Sequence, residues 1–132
     1  MLHEDHPAAR RHRTAVPLAE LAGETWTTGH QGTAWEDITN RTCRGLGGFD
    51  PDIRHRTNDS VLSLALVADG QAVTLLPQLV RPDAPPGVVA RAIAEGSVHR
   101  TIFAATRAAD AERPSVQALL AAVGEAAGRA FE

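Results

Sequence analysis

The chain has 132 residues, of which 43% are hydrophobic and 22% charged, and its formal net charge is −3 at pH 7. These values are typical of one folded domain and exclude a wholly disordered chain, and the slight acidity provides no basic field for nucleic acid. The single cysteine, Cys43, excludes an internal disulfide framework, and no apolar run is long enough to cross a membrane, so a cytoplasmic protein is expected.

The first sixteen residues show no periodic pattern and predict a solvated lead-in rather than a nucleic-acid-binding arm. The three arginines among residues 10 to 13 follow acidic residues, and segments of mixed charge are usually exposed. His3, His6 and His12 lack the i, i+4 helical spacing and the partner ligands of a metal site, so no metal is expected.

The next thirty residues predict a helical turn, a strand and a helix. Pro17 begins the turn because proline is tolerated at a first helical position, and the β-prone residues 25 to 28 form the first strand. Thr33 caps the helix, and Glu36 follows three residues later, as in a capping box. The inward face of this helix is predicted to carry four residues with helical spacing, Trp35, Ile38, Thr42 and Leu46.

A second strand and a second helix follow. Residues 51 to 57 are delimited like a strand and are predicted to form one. Asn58 or Asp59 caps the helix that starts directly afterwards. Residues 61 to 68 are apolar on almost every side, which predicts a helix buried between layers. The continuous apolar run at residues 72 to 76 is typical of a central parallel strand.

The last third predicts a proline-rich loop at residues 81 to 87, a short edge strand at 88 to 93, a strand at 100 to 106 and a closing amphipathic helix that Pro114 opens. The order is therefore β-α-β-α-β-β-β-α. Strands that alternate with helices predict an α/β fold, with a mainly parallel, mixed sheet and helices on both faces.

Five stretches resemble, in order and spacing, the distal half of the effector-binding region of LysR-type transcriptional regulators, a relative of the type 2 periplasmic binding proteins. They are HEDHPAA near the start, VPLAELAGETW at 16–26, CRGLGGFDPDI at 43–53, LVADGQAVTLLP at 66–77 and TIFAATR at 101–107. The resemblance implies a lead-in from a mostly absent first subdomain at 1–16, a second effector-binding subdomain at 17–96, and a return strand with a C-terminal helix at 97–132. It also implies that DNA binding belongs to a winged helix-turn-helix that this chain lacks.

Two loops form the candidate effector site, because ligands in such folds collect at the carboxyl ends of strands, where helix N-termini present N–H groups to anions. The resemblance implies that these loops line a cleft between two subdomains and that Leu76 and Pro77 border it. The predicted effector-binding residues are Thr27, Thr28, Gly29, His30, Gln31, Gly32, Thr33, Thr57, Asn58, Leu76 and Pro77. Helix capping explains Thr33 and Asn58 or Asp59 equally well, and a residue can have both roles.

Other residues favour plain structural roles. Trp26 and Trp35 fit packing better than stacking on an effector, and Cys43 fits a small buried hydrophobe better than a redox sensor. His30 could contact an acid, although a loop histidine is usually only exposed. The sequence contains neither a G-x-S-x-G elbow nor a phosphate-binding glycine-rich loop, so neither an enzyme nor a cofactor is predicted.

The leading hypothesis is the effector-sensing part of a LysR-type regulator, in which a small anionic metabolite closes two subdomains and shifts the arrangement of a DNA-bound oligomer. The alternative is a stand-alone ligand-binding or dimerisation module, which pairs with itself or with a full-length regulator through exposed apolar surface. The expected partners are a small effector, further copies of the chain and, only through the absent helix-turn-helix, DNA.

Overall fold

The computed structural model describes residues 1–79 and 84–130. The chain divides into two compact units, Met1–Val98 and His99–Glu132. The described part of the first unit contains six short strands and three α-helices. The strands are β1 (Leu2–His3), β2 (Ala15–Val16), β3 (Thr25–Thr28), β4 (Asp52–Arg56), β5 (Val88–Val89) and β6 (Ala92–Ile93), and the helices are α1 (Pro7–Arg11), α2 (Ala34–Thr42) and α3 (Ser60–Ala68).

Two further helical segments in the described part of the first unit are wound differently from an α-helix. The predicted helical turn is a 3₁₀ helix, Leu18–Leu21, whose first N–H group donates to both carboxylate oxygens of Glu95, at 2.9 and 3.1 Å. A π-helical turn, Cys43–Gly47, continues α2 and ends at Gly48, where φ is +72°. The second unit carries a 3₁₀ turn (Ala108–Asp110) and helix α4 (Pro114–Ala130), which confirms the predicted closing helix.

Strand β3 lies at the centre of the parallel pairing. Trp26 pairs with Ile53 of β4 on one side and with Val73 on the other, both in parallel. The Val73 N–H and C=O groups bond to the backbone of Thr25 and Thr27 at 2.9 and 3.0 Å. Strands β2 and β6 also pair in parallel, whereas β1 and β5 are antiparallel. The predicted α/β fold with mainly parallel, mixed pairing is confirmed.

Helices cover both faces of β3. Successive side chains of a strand point to opposite faces, and the Thr27 hydroxyl lies 3.1 Å from that of Ser63 on α3. The hydroxyl of Thr28 lies 2.9 Å from that of Thr39 on α2. All four side chains are completely buried, so each face of the strand is fastened to its helix by a hydroxyl pair.

The predicted caps explain where the two helices begin. The Thr33 hydroxyl accepts the Glu36 N–H group at 3.4 Å, at the start of α2. Asp59, rather than Asn58, caps α3, because its carboxylate accepts the N–H groups of Val61 and Leu62 at 2.8 and 3.4 Å. These side chains satisfy donors that the first turn of a helix leaves without intrahelical partners.

The prediction that α3 is buried on all sides is wrong. Leu64 and Val67 are buried against the strands, whereas Val61 is 72% and Leu62 52% exposed. A helix with apolar residues all round still buries only the face that a neighbouring layer covers. A smaller error concerns Leu46, which was predicted to face inward with Trp35 and Ile38 but is exposed beyond the end of α2.

The prediction of a solvated lead-in is right for the charged residues, since Arg10, Arg11 and Arg13 are exposed, but wrong for the apolar ones. Leu2, Ala8 and Ala9 belong to the hydrophobic core, and β1 pairs with β5 near the other end of the unit. His6 caps α1 by accepting the Ala8 N–H group on Nδ1 at 3.1 Å. Two-residue strands and a five-residue helix are too short to show a period in the sequence. The sequence pattern therefore does not reveal that residues 1–16 are folded.

Three predicted strands differ from the structure. The central run at 72–76 forms only a one-residue bridge at Val73, and the stretch at 88–93 divides into β5 and β6, which pair with different partners. Residues 100–106 form no strand and are exposed. Part of the predicted loop at 81–87, residues 81–83, lies outside the described residues. No described helix is both long enough and apolar enough to span a membrane.

Truncation of α3 side chains tests its one-sided burial. We expect Leu64→Ala to lower the free energy of unfolding by about 2–5 kcal/mol, because it leaves a cavity in the core. Leu62→Ala, on the exposed side of the same helix, should change it by less than about 0.5 kcal/mol. Urea denaturation of both variants measures the difference, and similar losses from the two would show that α3 is covered on both sides.

Candidate functional site

Three chain segments meet where the parallel strands end, and we call this surface the loop edge; it consists of residues 29–33, 56–58 and 75–77. The His30 N–H group donates to Asn58 Oδ1 at 3.0 Å, which joins the first two segments. The indole N–H of Trp35 donates to the Leu75 carbonyl at 2.8 Å, which ties the third segment to α2. The structure therefore brings the predicted loops together at the carboxyl ends of β3 and β4.

Not all predicted site residues face this edge. The hydroxyls of Thr27 and Thr28 are buried against α3 and α2, so these two residues hold the strand in place and present no hydroxyl to a ligand. Thr33, Thr57, Leu76 and Pro77 are half-buried at the edge. Four predicted residues have exposed positions there, His30, Gln31, Gly32 and Asn58.

Gly29 is the tightest point of the loop edge. A β-carbon at this position would overlap Thr33 Oγ1 and would lie 3.1 Å from Trp35 Cβ and 3.2 Å from Asn58 Oδ1. The Thr33 hydroxyl also donates to the His30 carbonyl at 2.7 Å. Only a residue without a side chain leaves room for the start of α2 and the segment after β4 to approach each other here.

Two charged residues are not among the predicted site residues: Arg56, in the loop edge, and Glu36, which contacts it. Arg56 donates to Glu36 Oε1 at 2.6 Å, and the Gly32 N–H group donates to Glu36 Oε2 at 2.7 Å. The Glu36 side chain is 12% and that of Arg56 37% exposed. The sequence signal for Arg56 is its place near the end of the predicted strand at 51–57, and the capping-box pattern predicts only a capping role for Glu36.

The loop edge already satisfies several of its own donors. The Gly32 N–H group and the Arg56 guanidinium hold the pKa of Glu36 below its ordinary value of 4.5. Thr33 and Asp59 accept N–H groups in the first turns of α2 and α3. An external anion at these helix starts therefore has to compete with acceptors that belong to the chain itself.

Packing roles explain Trp26 and Cys43, as predicted. Trp26 is completely buried, donates to the Leu21 carbonyl at 3.3 Å, and lies with its ring centroid 6.0 Å from that of Phe49. Cys43 is also completely buried, and burial raises the pKa of its thiol to about 12. Within the described part of the chain, no three His, Cys, Asp or Glu side chains are arranged to hold a metal.

The alternating order, the parallel pairing around β3 and the loops gathered at one strand end are those of an α/β domain of the periplasmic-binding-protein type. The LysR substrate binding domain profile matches residues 1–128, and the chain belongs to this family. The family consists of domains of transcriptional regulators and is not an enzyme family.

Three curated relatives are similar to part of the chain. The DNA-binding transcriptional dual regulator OxyR of Escherichia coli K12 is 36% identical over 81 residues, which are 61% of this chain and 26% of that protein. The hydrogen peroxide-inducible genes activators of Escherichia coli O6:H1 and O157:H7 match to the same extent. The match thus spans about a quarter of the length of these relatives. No solved structure matches significantly.

Addition of one methyl group at Gly29 tests the close approach at the loop edge. Gly29→Ala should lower the free energy of unfolding by about 1–3 kcal/mol, because the methyl forces apart Thr33 and Asn58. Gly23→Ala is the control, since nothing lies within 4 Å of a β-carbon there, and its effect should stay under about 1 kcal/mol. Equal urea midpoints for the two variants would contradict the tight packing at Gly29.

The pH dependence of stability tests the Glu36 contacts. Because its pKa is lower in the folded chain than the ordinary value of 4.5, the carboxylate stabilises the fold fully above that pH and loses this effect as pH falls through the folded-state pKa. Glu36→Gln should therefore be less stable than the parent at pH 7, and the difference should shrink below pH 4.5. The exposed Glu125→Gln is the control, and a Glu36→Gln difference that is constant down to pH 3 would refute the lowered pKa.

Proposed function

We propose that this chain is the effector-sensing part of a LysR-type transcriptional regulator and that it binds a small anionic metabolite at the loop edge. Membership of the substrate-binding family supports the sensing role. The main support for the position of the site is the hydrogen bond from the His30 N–H group to Asn58 Oδ1, because it joins the two loops that precede α2 and α3. In open α/β folds, ligands collect outside the carboxyl ends of parallel strands.

Arg56 supports an anionic effector. Its guanidinium is partly exposed at the end of β4 and is held by Glu36 and by the Gly29 carbonyl, at 2.6 and 3.5 Å. A planar guanidinium can bind a carboxylate through two parallel hydrogen bonds. An incoming carboxylate would compete with Glu36 for Arg56, while the exposed His30 and Asn58 would provide further polar contacts.

The proposed mechanism is a population shift. A ligand that contacts this edge and also a second subdomain stabilises the closed arrangement of the two in proportion to its preference for that arrangement. Closure then changes the geometry of an oligomer that binds DNA through a helix-turn-helix domain. In this proposal the regulator is cytoplasmic and the chain carries out no chemical reaction.

We further propose that the chain does not respond to peroxide through Cys43, although the names of two relatives refer to hydrogen peroxide. The thiolate is the reactive form of cysteine. Complete burial of Cys43 and a pKa of about 12 keep its thiol protonated and away from solvent. A metabolite at the loop edge is therefore the better-supported signal for this chain.

Thermal unfolding of the purified chain against a panel of small carboxylates, aromatic acids and amino acids tests the proposed site. A ligand at about 100 times its Kd should add roughly 2.7 kcal/mol to the free energy of unfolding. Arg56→Gln removes a charge-assisted bond of about 1.5–3 kcal/mol and should weaken binding roughly 10- to 100-fold. Arg54→Gln, with the same charge change on the same strand, should bind normally.

An equal loss of binding in both arginine variants would show a general charge effect and would contradict a site at Arg56. The absence of any shift, in a chain that unfolds cooperatively, would favour the alternative of a dimerisation module. Apolar side chains exposed in the second unit, Ile102, Phe103, Leu119 and Val123, favour that alternative. A dimerisation module requires that the apparent mass of the chain in sedimentation rise with protein concentration.

A further inference from the structure

Strand β4 is an edge strand of the first unit. Among the described residues it pairs with β3 alone, and the register of the two strands skips Arg54, which has no partner residue on β3. An extra residue of this kind is left unpaired in the ladder. An open strand edge presents N–H and C=O groups to which a further strand can bond. The outer edge of β4 is therefore a surface on which another strand can dock.

The exposed side of β4 carries charges. Asp52, Arg54 and Arg56 are exposed, whereas the two residues between them are half-buried. Asp52 and Arg54 form an ion pair at 2.7 Å, but their side chains are 53% and 68% exposed, and pairs of this kind stabilise a fold little. The bond uses the Nε–H group of Arg54, which is one of five donors on a guanidinium. Both charges can therefore contact a second partner.

The order of these charges makes β4 complementary to a second copy of itself. When two antiparallel strands align on Ile53, Asp52 of each copy lies opposite Arg54 of the other, and Asp50 lies opposite Arg56. A shift of two residues would place Arg54 opposite Arg54 or Asp52 opposite Asp52, and a parallel alignment in register would oppose every charge to its like. Opposite charges across two strands attract and like charges repel. The charge pattern therefore favours one antiparallel register.

We propose that β4 pairs antiparallel with β4 of a second copy of this chain, in the register that places Asp52 opposite Arg54 across a two-fold axis. Two carboxylates and two guanidiniums then meet on one face of the joined strands. Two five-residue strands bury less than about 1,200 Å², which is typical of a weak and transient interface. The pairing uses neither the proposed effector site nor the exposed apolar residues of the second unit.

Sedimentation equilibrium of the 132-residue chain, at concentrations up to the millimolar range, tests this pairing. The chain should show a reversible equilibrium between monomer and dimer. Its dimer Kd should rise several-fold between about 0.05 and about 0.5 M NaCl, because salt screens exposed charges. Asp52→Arg and Arg54→Asp each place like charges opposite each other at two symmetric contacts, so each variant alone should raise the Kd roughly tenfold.

An equimolar mixture of the two variants separates pairing between copies from effects within one chain. In a mixed dimer both contacts again join an acidic and a basic residue, so the mixture should associate about as well as the parent. No chain in that mixture contains the parent pair, so a change within one chain cannot produce the recovery. Both substituted side chains are more than half exposed, and the salt dependence of the parent does not rely on any variant.

Leu119→Glu is the control, because it changes an exposed apolar residue of the second unit. It should leave the dimer Kd unchanged. Association that is lost in Leu119→Glu but unaffected by the two charge variants would place the interface in the second unit and overturn the proposal. A chain that stays monomeric at every concentration, or a mixture that fails to recover the dimer, would overturn it as well.

Discussion

The hydroxyls of Thr27 and Thr28 leave β3 in opposite directions, and each meets a hydroxyl on a different helix. These two pairs, at 3.1 and 2.9 Å, join α3 and α2 to the two faces of one buried strand. The backbone of the same strand bonds to β4 on one side and to Val73 on the other. Buried hydroxyls need partners, so the positions of both helices depend on this four-residue strand.

The packing of β3 also determines what the loop edge can offer a ligand. Because both threonine hydroxyls are used inside the fold, ligand chemistry at the edge comes from exposed groups, above all Arg56, His30 and Asn58. The chain supplies its own acceptors there. Glu36 accepts from Arg56, and Thr33 and Asp59 accept N–H groups at the starts of α2 and α3. An effector at the proposed site would have to replace such a contact, which would link binding to a local rearrangement.

The two ends of the parallel strands therefore have different chemistry. At the carboxyl end, internal acceptors satisfy the donors, and a guanidinium is partly open to solvent. At the amino end, backbone N–H groups bond to the Nδ1 atoms of His3 and His6, and the Glu24 carboxylate lies 3.2 Å from His6 Nε2. The carboxyl end thus presents a partly exposed cation, whereas the charged groups at the amino end face each other.

The sequence by itself determined the elements with strong local signals: β3, β4, α2, α3 and α4, the cap at Thr33 and the burial of Cys43. It also indicated the family and the loops at the carboxyl ends of the strands. Only the tertiary structure decided the two-residue strands, the exposed side of α3 and the absence of a strand at 100–106, because each depends on whether a distant segment lies alongside. The contact of Arg56 with Glu36, the cap that Glu95 provides at Leu18 and the pairing of His6 with Glu24 are likewise decided by folding, since periodicity and capping patterns report neighbours in sequence, whereas these contacts join residues far apart in the chain.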